Sequence, residues 1–321
     1  MGIKYIDWSC KHDILIHNPD GTFSPMDEPY FRSEPVRPGV WKILSSGDYS
    51  YLIEGGKKAI AVDTGYGAGN IREYMQSLTV KPLSEVINSH DHFDHTANNA
   101  YFDKAYMSEA TVPLATVPFA SFDGIYFPKD YVHAVVREGD IIDLGGSKTL
   151  EVFEIPDHAV GSIALLDRAD RILFTGDEFM PMPAGKRLAV SIETFMGYLE
   201  KLAVHRNEFD ILCGGSGVLD ASLLDSYRTC AKYILDGNTG EPDTAPGGPP
   251  IIDFSEQFPG RTVYDRMLPH PGDGGAHTMY ECEKYRRVVH CAGVKISYIP
   301  TETGENRTEE PVIGRQLRSD V

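Results

Sequence analysis

Positive charge is scarce in this chain: Lys and Arg total 30 against 47 Asp and Glu, a formal net charge of −17. Proteins that bind nucleic acid neutralise phosphates with clustered Lys and Arg, and no such cluster occurs here. Nucleic-acid partners are therefore not expected, and metal-dependent nucleases become a poor fit. Long apolar runs are missing too. No window approaches the length of a membrane span, and Met1–Trp8 contains no apolar segment of the secretory type. A cytoplasmic protein without a membrane partner is the expectation. Five cysteines (Cys10, Cys213, Cys230, Cys282 and Cys291) are an odd number with no Cys-x-x-Cys pair. They read as free thiols in a reducing compartment, not as a disulfide or zinc framework.

What remains is ordinary for a globular protein: 41% apolar and 24% charged residues, in a length that suits one large domain or two modest ones. Residues 1–38 show little periodicity and are expected to form an irregular arm, with Tyr30 and Phe31 pinning it to the core. From Gly39 the pattern changes. Short β-rich runs, Val40–Leu44, Tyr51–Ile53 and Ala59–Asp63, predict a strand meander, with Gly55-Gly56 at one turn. Ile71, Tyr74, Met75 and Leu78 fall at helical spacing. Residues 112–135 form an aromatic, Pro-containing insertion, read either as a cap over a cleft or as a packed loop. Further strands are expected at Asp140–Leu144, Leu150–Ile155, Ser162–Leu166, Arg171–Thr175 and Phe209–Cys213. Two helices are expected from the stripes Ile192/Phe195/Leu199/Leu202 and Leu223/Tyr227/Cys230/Ile234, with Ser191 and Asp220 as N-caps and Gly237 just past the second. The domain reading is an arm at 1–38, a core domain at 39–237, and a linker with C-terminal extension at 238–321. The extension is expected to pack on the core or to mediate a homo-oligomer.

The chemistry concentrates in Ser89-His90-Asp91-His92-Phe93-Asp94-His95, directly after the apolar run Val86–Asn88 that reads as a strand end. Neutral imidazoles and carboxylates are the ligands that borderline divalent ions such as Zn²⁺ accept. His90 and His92, two apart on an extended loop, face one ion; Asp94 and His95 face a second position beside it. Two other strand ends add His158, which completes a three-histidine face, and Asp177, which bridges both positions. Three protein ligands leave an open position for water. A metal ion there lowers the pKa of that water from about 15.7 toward about 7 and polarises a carbonyl, which together support hydrolysis. Asp94 is the candidate catalytic residue, orienting the nucleophile or carrying a proton to the leaving group. Phe179, Met180 and Met182 hint at an apolar pocket next to the metals.

In this order, His90-Asp91-His92-Phe93-Asp94-His95, Pro156-Asp157-His158 through Ser162, and Phe174-Thr175-Gly176-Asp177 resemble the successive metal motifs of the metallo-β-lactamase-fold hydrolases. Asp63 resembles that family's acidic residue at an early strand end, which supports the ligands. The resemblance covers roughly Gly39 to Gly237. It implies an α/β (α+β) fold, a four-layer αββα sandwich with metals at one edge between its sheets. It also implies one or two Zn²⁺ per chain, iron or manganese being the alternatives, and a small-molecule substrate. One departure stands out. The family's last histidine follows a late strand in a Gly-His-Gly-like turn, and that place reads Gly214-Gly215-Ser216-Gly217, with Ser216 read as standing where the ligand belongs. A tight first position and a looser second one are expected, the latter weak, empty, or completed from His205, His270, His277 or His290, with His270 and His277 preferred.

The leading functional reading is a metal-dependent hydrolase of a carbonyl ester, lactone, thioester or amide. A mononuclear iron oxidoreductase of the same fold, resembling the persulfide dioxygenases, and a non-catalytic metal-binding protein stand as alternatives. Fold by itself does not choose among substrates.

Overall fold

The computed structural model describes residues 31–45, 48–65, 67, 69–117, 125–127, 129–243 and 285–300, with short segments at 4–5, 14–17, 21–25, 256–257, 259–260 and 262–265.

Two large sheets face one another. The first has seven strands in the spatial order Val132–Val135, Lys104–Met107, Leu83–Ile87, Ala59–Val62, Asp48–Glu54, Val40–Ser45 and Arg32–Arg37. Its first four strands run parallel, and the rest form an antiparallel meander. The second has six, in the order Ile141–Gly145, Lys148–Glu154, Ile163–Asp167, Ile172–Gly176, Ile211–Gly214 and Gly217–Asp220.

Why the strands read as nearly continuous apolar runs becomes clear from their two faces. Tyr51, Ile53, Ile60 and Val62 of the first sheet meet Val152, Leu165, Ile172 and Phe174 of the second in one buried cluster between the sheets. The alternate residues Leu52, Ala59, Ala61 and Val86 point the other way, under the helix Ile71–Ser77. On the far side, Phe153, Leu166, Leu173 and Leu212 pack against the helices Ile192–Ala203 and Ser222–Leu235. The result is four layers, helix, sheet, sheet, helix, as the motif resemblance implies. At one end the sheets touch through glycine. A Cβ on Gly55 would lie 2.3 Å from Leu144 Cβ; without it, the Gly56 and Lys57 amides donate to the Gly145 and Leu144 carbonyls at 3.0 and 2.9 Å.

Several expectations shift. The sheet starts at Arg32, inside the segment read as irregular. There Phe31 packs on Tyr74 with ring centroids 5.2 Å apart, while Tyr30 lies outside the described residues. Pro35 sits in that strand at the sheet edge, the place where a missing amide costs no ladder bond. Within 112–135, Val132–Val135 is an exposed to half-buried edge strand, whereas Phe127 is buried in the core and packs on Phe93 at 4.5 Å; Pro118, Phe119, Phe122 and Pro128 lie outside the described residues. Ser191 caps its helix by accepting the Thr194 amide. Asp220 accepts the Ser222 amide at 2.8 Å, but the cap position itself is Ala221.

The extension does not stand apart. Arg287–Cys291 and Val294–Tyr298 form a hairpin in a four-stranded sheet that also takes in Lys186–Arg187 and Glu241–Pro242. Val289, Val294, Ile296 and Tyr298 are buried in the same cluster as the two long helices. Part of the segment read as a linker therefore pairs with this sheet, whose hairpin packs on the helix Ser222–Leu235. Among the described residues no helix is long and apolar enough to cross a membrane.

Candidate metal centre

The centre forms where strands of both sheets end on the same side. Val62 runs into Asp63, Ile87 into Ser89-His90, Glu154 into Asp157-His158, and Gly176 into Asp177. Cross-sheet hydrogen bonds fix this edge: Ile163 N–H to the Ser89 carbonyl at 2.8 Å, Tyr49 N–H to the Gly215 carbonyl at 3.0 Å, and Tyr51 hydroxyl to the Gly214 carbonyl at 2.7 Å. A rigid scaffold of this kind can hold side chains to a defined geometry.

All six candidate ligands come together, in overlapping groups. Ligand atoms of His90, His92 and His158 lie within 4.8 Å of one another, and so do those of His90, His95 and Asp177. His158 Nε2 and His92 Nδ1 face each other at 3.0 Å. His95 Nε2 lies 3.6 Å from Asp94 Oδ2 and 3.6 Å from Asp177 Oδ2, and His158 Nε2 lies 3.7 Å from Asp177 Oδ2. Those separations exceed a hydrogen bond. They approach the roughly 3.3 Å between two ligands that each sit about 2.0–2.1 Å from a tetrahedral ion. Nε2 of His90, Nε2 of His95 and Oδ1 of Asp177 are buried with no hydrogen-bond partner among the described residues. Buried polar atoms are rarely left so, and an ion is the partner that would satisfy them. The donor set therefore fits a divalent metal. Access is one-sided: the His95 side chain is 1% exposed, whereas His158 is 20% exposed.

A second ring of residues aims the ligands. Asp63 accepts the Ser89 amide and hydroxyl, both at 2.7 Å, and its Oδ2 lies 2.9 Å from His95 Nδ1. With the proton assigned to Nδ1, the Nε2 lone pair of His95 points into the centre, and a carboxylate behind an imidazole raises its basicity. Asp63 takes a left-handed backbone, φ 63°, which Asp tolerates better than most residues. Ser89 Oγ stands 3.0 Å from His90 Nδ1. The His95 carbonyl accepts from Asn88 Nδ2 at 2.9 Å and from the Thr64 amide at 2.9 Å, fixing the four-residue helix Phe93–Thr96.

Burial and the neighbouring imidazoles press the His90 pKa well below its ordinary value. Burial would do the same to His95, but Asp94, Asp177 and Asp63 outweigh it and raise that pKa well above normal. Asp177 is the complement: burial opposes its charge, yet His95, His158 and His92 hold its carboxyl below the usual carboxylate range. Asp91, the remaining acid of the motif, joins none of these groups, and burial lifts its carboxyl to about 7.

Beneath His158 lies a buried ion cluster that sequence periodicity had no means to reveal. Lys186 Nζ pairs with Asp157 Oδ2 at 2.8 Å and with Glu178, whose other oxygen accepts the His158 amide at 2.7 Å. Asp157 Oδ1 also accepts the Ala189 and Val190 amides at 2.7 and 2.9 Å.

Two expectations change at the second position. Ser216 is exposed; the position that faces the centre is Gly215, where a Cβ would fall 2.1 Å from Asp177 Oδ1 and 3.1 Å from His95 Cε1. The alternation of the turn moves the inward-facing residue by one. His205 bonds instead to Glu208 and meets Phe153 edge-on, and His290 is exposed, while His270 and His277 lie outside the described residues. Asp48, which the sequence did not single out, joins Asp94, His95 and Asp177 with ligand atoms within 4.8 Å. Phe179 is buried in the core against Tyr227, ring centroids 5.9 Å apart, and Met182 is exposed.

The metallo-beta-lactamase superfamily model matches residues 47–234. The alpha subunit of 2,4-dinitroanisole O-demethylase from Nocardioides sp. (strain JS1661) is 32% identical over 162 residues, 49% of this chain and 48% of that one. Acyl-coenzyme A thioesterase MBLAC2 from Gallus gallus is 23% identical over 248 residues, 64% of this chain and 87% of that one. The chain thus spans about half the length of the first relative and most of the second. A solved metallo-beta-lactamase from Pontibacter korlensis aligns with a TM-score of 0.50 at 16% identity, over 65% of this chain and 99% of that chain, a likeness of fold.

Proposed function

Because this chain belongs to the metallo-β-lactamase superfamily, we propose that it is a metal-dependent hydrolase of a small carbonyl ester, lactone or amide, with thioesters foremost. The observation that carries the reading is the set of buried ligand atoms, Nε2 of His90 and His95 and Oδ1 of Asp177, without hydrogen-bond partners among the described residues at a scaffold edge open to solvent on the His158 side. Similarity to an acyl-coenzyme A thioesterase over 87% of that protein's length supports thioesters as the first class to try.

In this reading His90, His92 and His158 would hold one ion, and Asp94, His95 and Asp177 would hold another. Zinc would suit the imidazole-rich position, and a bound ion would supply Lewis acidity and acidify a water. The protein's own share is orientation and proton traffic. Asp63 keeps the His95 proton on Nδ1, away from the centre, and Glu178 fixes the backbone of His158. Asp94, with its side chain 11% exposed at the open face, accepts a proton from the attacking water and passes it to the leaving group.

The test is hydrolysis of a panel of acyl-coenzyme A thioesters, lactones, esters and β-lactams by protein stripped of metal and reloaded with Zn²⁺ or Mn²⁺. Turnover of at least one class that needs metal is expected, with Asp94→Asn slower by about 10²-fold or more, the usual weight of general acid–base catalysis. No turnover on any substrate by the loaded protein would sink the hydrolase reading. An unchanged Asp94→Asn rate would remove Asp94 from the mechanism.

A further inference from the structure

The second group of donors contains a gap and, opposite it, an unexpected acid. Gly215 has no side chain at the point where one would enter the centre. Across from it the strand Asp48–Glu54 begins, tied to this turn by the Tyr49 amide on the Gly215 carbonyl and the Tyr51 hydroxyl on the Gly214 and Gly217 carbonyls, at 3.0, 2.7 and 3.1 Å. Those bonds leave Asp48, the residue before Tyr49, at the mouth of the gap. Its carboxylate falls within 4.8 Å of ligand atoms of Asp94, His95 and Asp177. The unpartnered Nε2 of His95, a wholly buried residue, faces the same space.

We propose that Asp48 is a ligand of the second metal position, supplying from the first sheet the donor that the Gly215 turn of the second sheet lacks. The proposal rests on reading these clusters as metal positions. It also explains why a glycine is suitable at 215: a Cβ there would collide with Asp177 Oδ1 at 2.1 Å, so the missing side chain leaves Asp177 room to share an ion with an acid arriving from the other sheet. A consequence concerns the kind of ion. Three imidazoles form one position, whereas three carboxylates and one imidazole form the other. The oxygen-rich position is the harder of the two and shifts relative preference toward ions such as Mn²⁺.

The experiment uses the full chain, stripped with chelator and reloaded with Co²⁺ as probe, reading bound cobalt per chain and the absorption spectrum. Unaltered protein is expected to hold two Co²⁺. Asp48→Asn is expected to hold one, with the first retained. Asp48→Cys is expected to regain the second and to show a thiolate-to-cobalt charge-transfer band in the near ultraviolet that the unaltered protein lacks. Circular dichroism of each variant checks that the half-buried residue can be changed without loss of fold. Two cobalt ions held by Asp48→Asn as tightly as by the unaltered chain, or no band in folded Asp48→Cys, would overturn the assignment of Asp48 and leave the metal centre standing. Unaltered protein that binds one ion overturns the second position and Asp48 together; protein that binds none overturns the metal reading itself.

Discussion

Replacing Lys186 with Met tests how the chain supports His158. Lys186 is 3% exposed and sits between two carboxylates that are themselves buried, Asp157 and Glu178. Methionine keeps most of the apolar stem and deletes the charge, leaving the two acids facing one another without a cation. Breaking a buried ion pair by removing one partner costs about 3–5 kcal/mol. Against a total stability of about 5–15 kcal/mol that is a large fraction. At about 2–4 °C per kcal/mol for a domain of this size, Tm should fall by roughly 6–20 °C. The pH dependence gives a second reading. In the intact protein, burial raises the Glu178 pKa while the Lys186 charge opposes it. Burial also works against the Lys186 charge, but Asp157 and Glu178 raise its pKa above the ordinary value. A raised lysine pKa contributes stability fully present below about 10.4, so this contribution is flat between pH 5 and 8. Without the lysine, burial and Asp157 act on Glu178 with its largest opposing influence gone. The folded state then holds a proton that the unfolded chain has released above about 4.3, and stability declines as pH rises through that window. The deficit of Lys186→Met should therefore be larger at pH 8 than at pH 5, and adding Glu178→Gln should return part of it. Urea unfolding followed by circular dichroism, in excess chelator so that metal binding adds nothing, measures both. A deficit below about 1 kcal/mol, or one equal at the two pH values, would mean that the cluster is not the buried ion triad described, because a hydrated triad behaves as a surface pair.

Two further outcomes follow from neighbouring geometry. Asp63→Asn replaces a carboxylate that serves the Ser89 amide, the Ser89 hydroxyl and His95 Nδ1 with an amide bearing one acceptor oxygen, and metal affinity should fall about 10–100-fold in competition with a chromophoric chelator. Ile296→Ala, at a fully buried position in a strand of the extension, should cost about 2–5 kcal/mol in chemical unfolding. An unchanged midpoint there would show the extension to be an appendage.

Much of the architecture could be read from the chain itself because its signals are local. The apolar runs at Tyr51–Ile53, Ala59–Val62 and Arg171–Thr175 are short and bounded by turn residues, and the stripe Ile192/Phe195/Leu199/Leu202 repeats at helical spacing after the cap Ser191. His90, His92, Asp94 and His95 advertise themselves by density within six positions, and His158 and Asp177 by following strands. Asp48 gave no such signal. An aspartate beside a glycine at the start of a strand has the local pattern of any turn, and its importance depends on a partner turn about 170 residues away. Gly215 was masked for a related reason. Which residue of a tight turn faces inward depends on how the strands before it pair, and a shift of one residue reverses the answer. Lys186, Asp157 and Glu178 are likewise three ordinary charged residues until folding buries them together.

By itself, then, the sequence determined what short-range chemistry can carry: where most of the core strands and helices lie, and that six side chains of metal-ligand type follow strand ends. Tertiary structure decided what depends on contacts across the chain. It chose which face of each doubly apolar strand turns toward the other sheet, and it fastened the C-terminal hairpin to the core. It also put Asp48 opposite Gly215. The physical reason is that a strand or a turn is specified by neighbours a few residues away, whereas a metal position is specified by whichever side chains the packed sheets bring within about 5 Å, however distant they are along the chain.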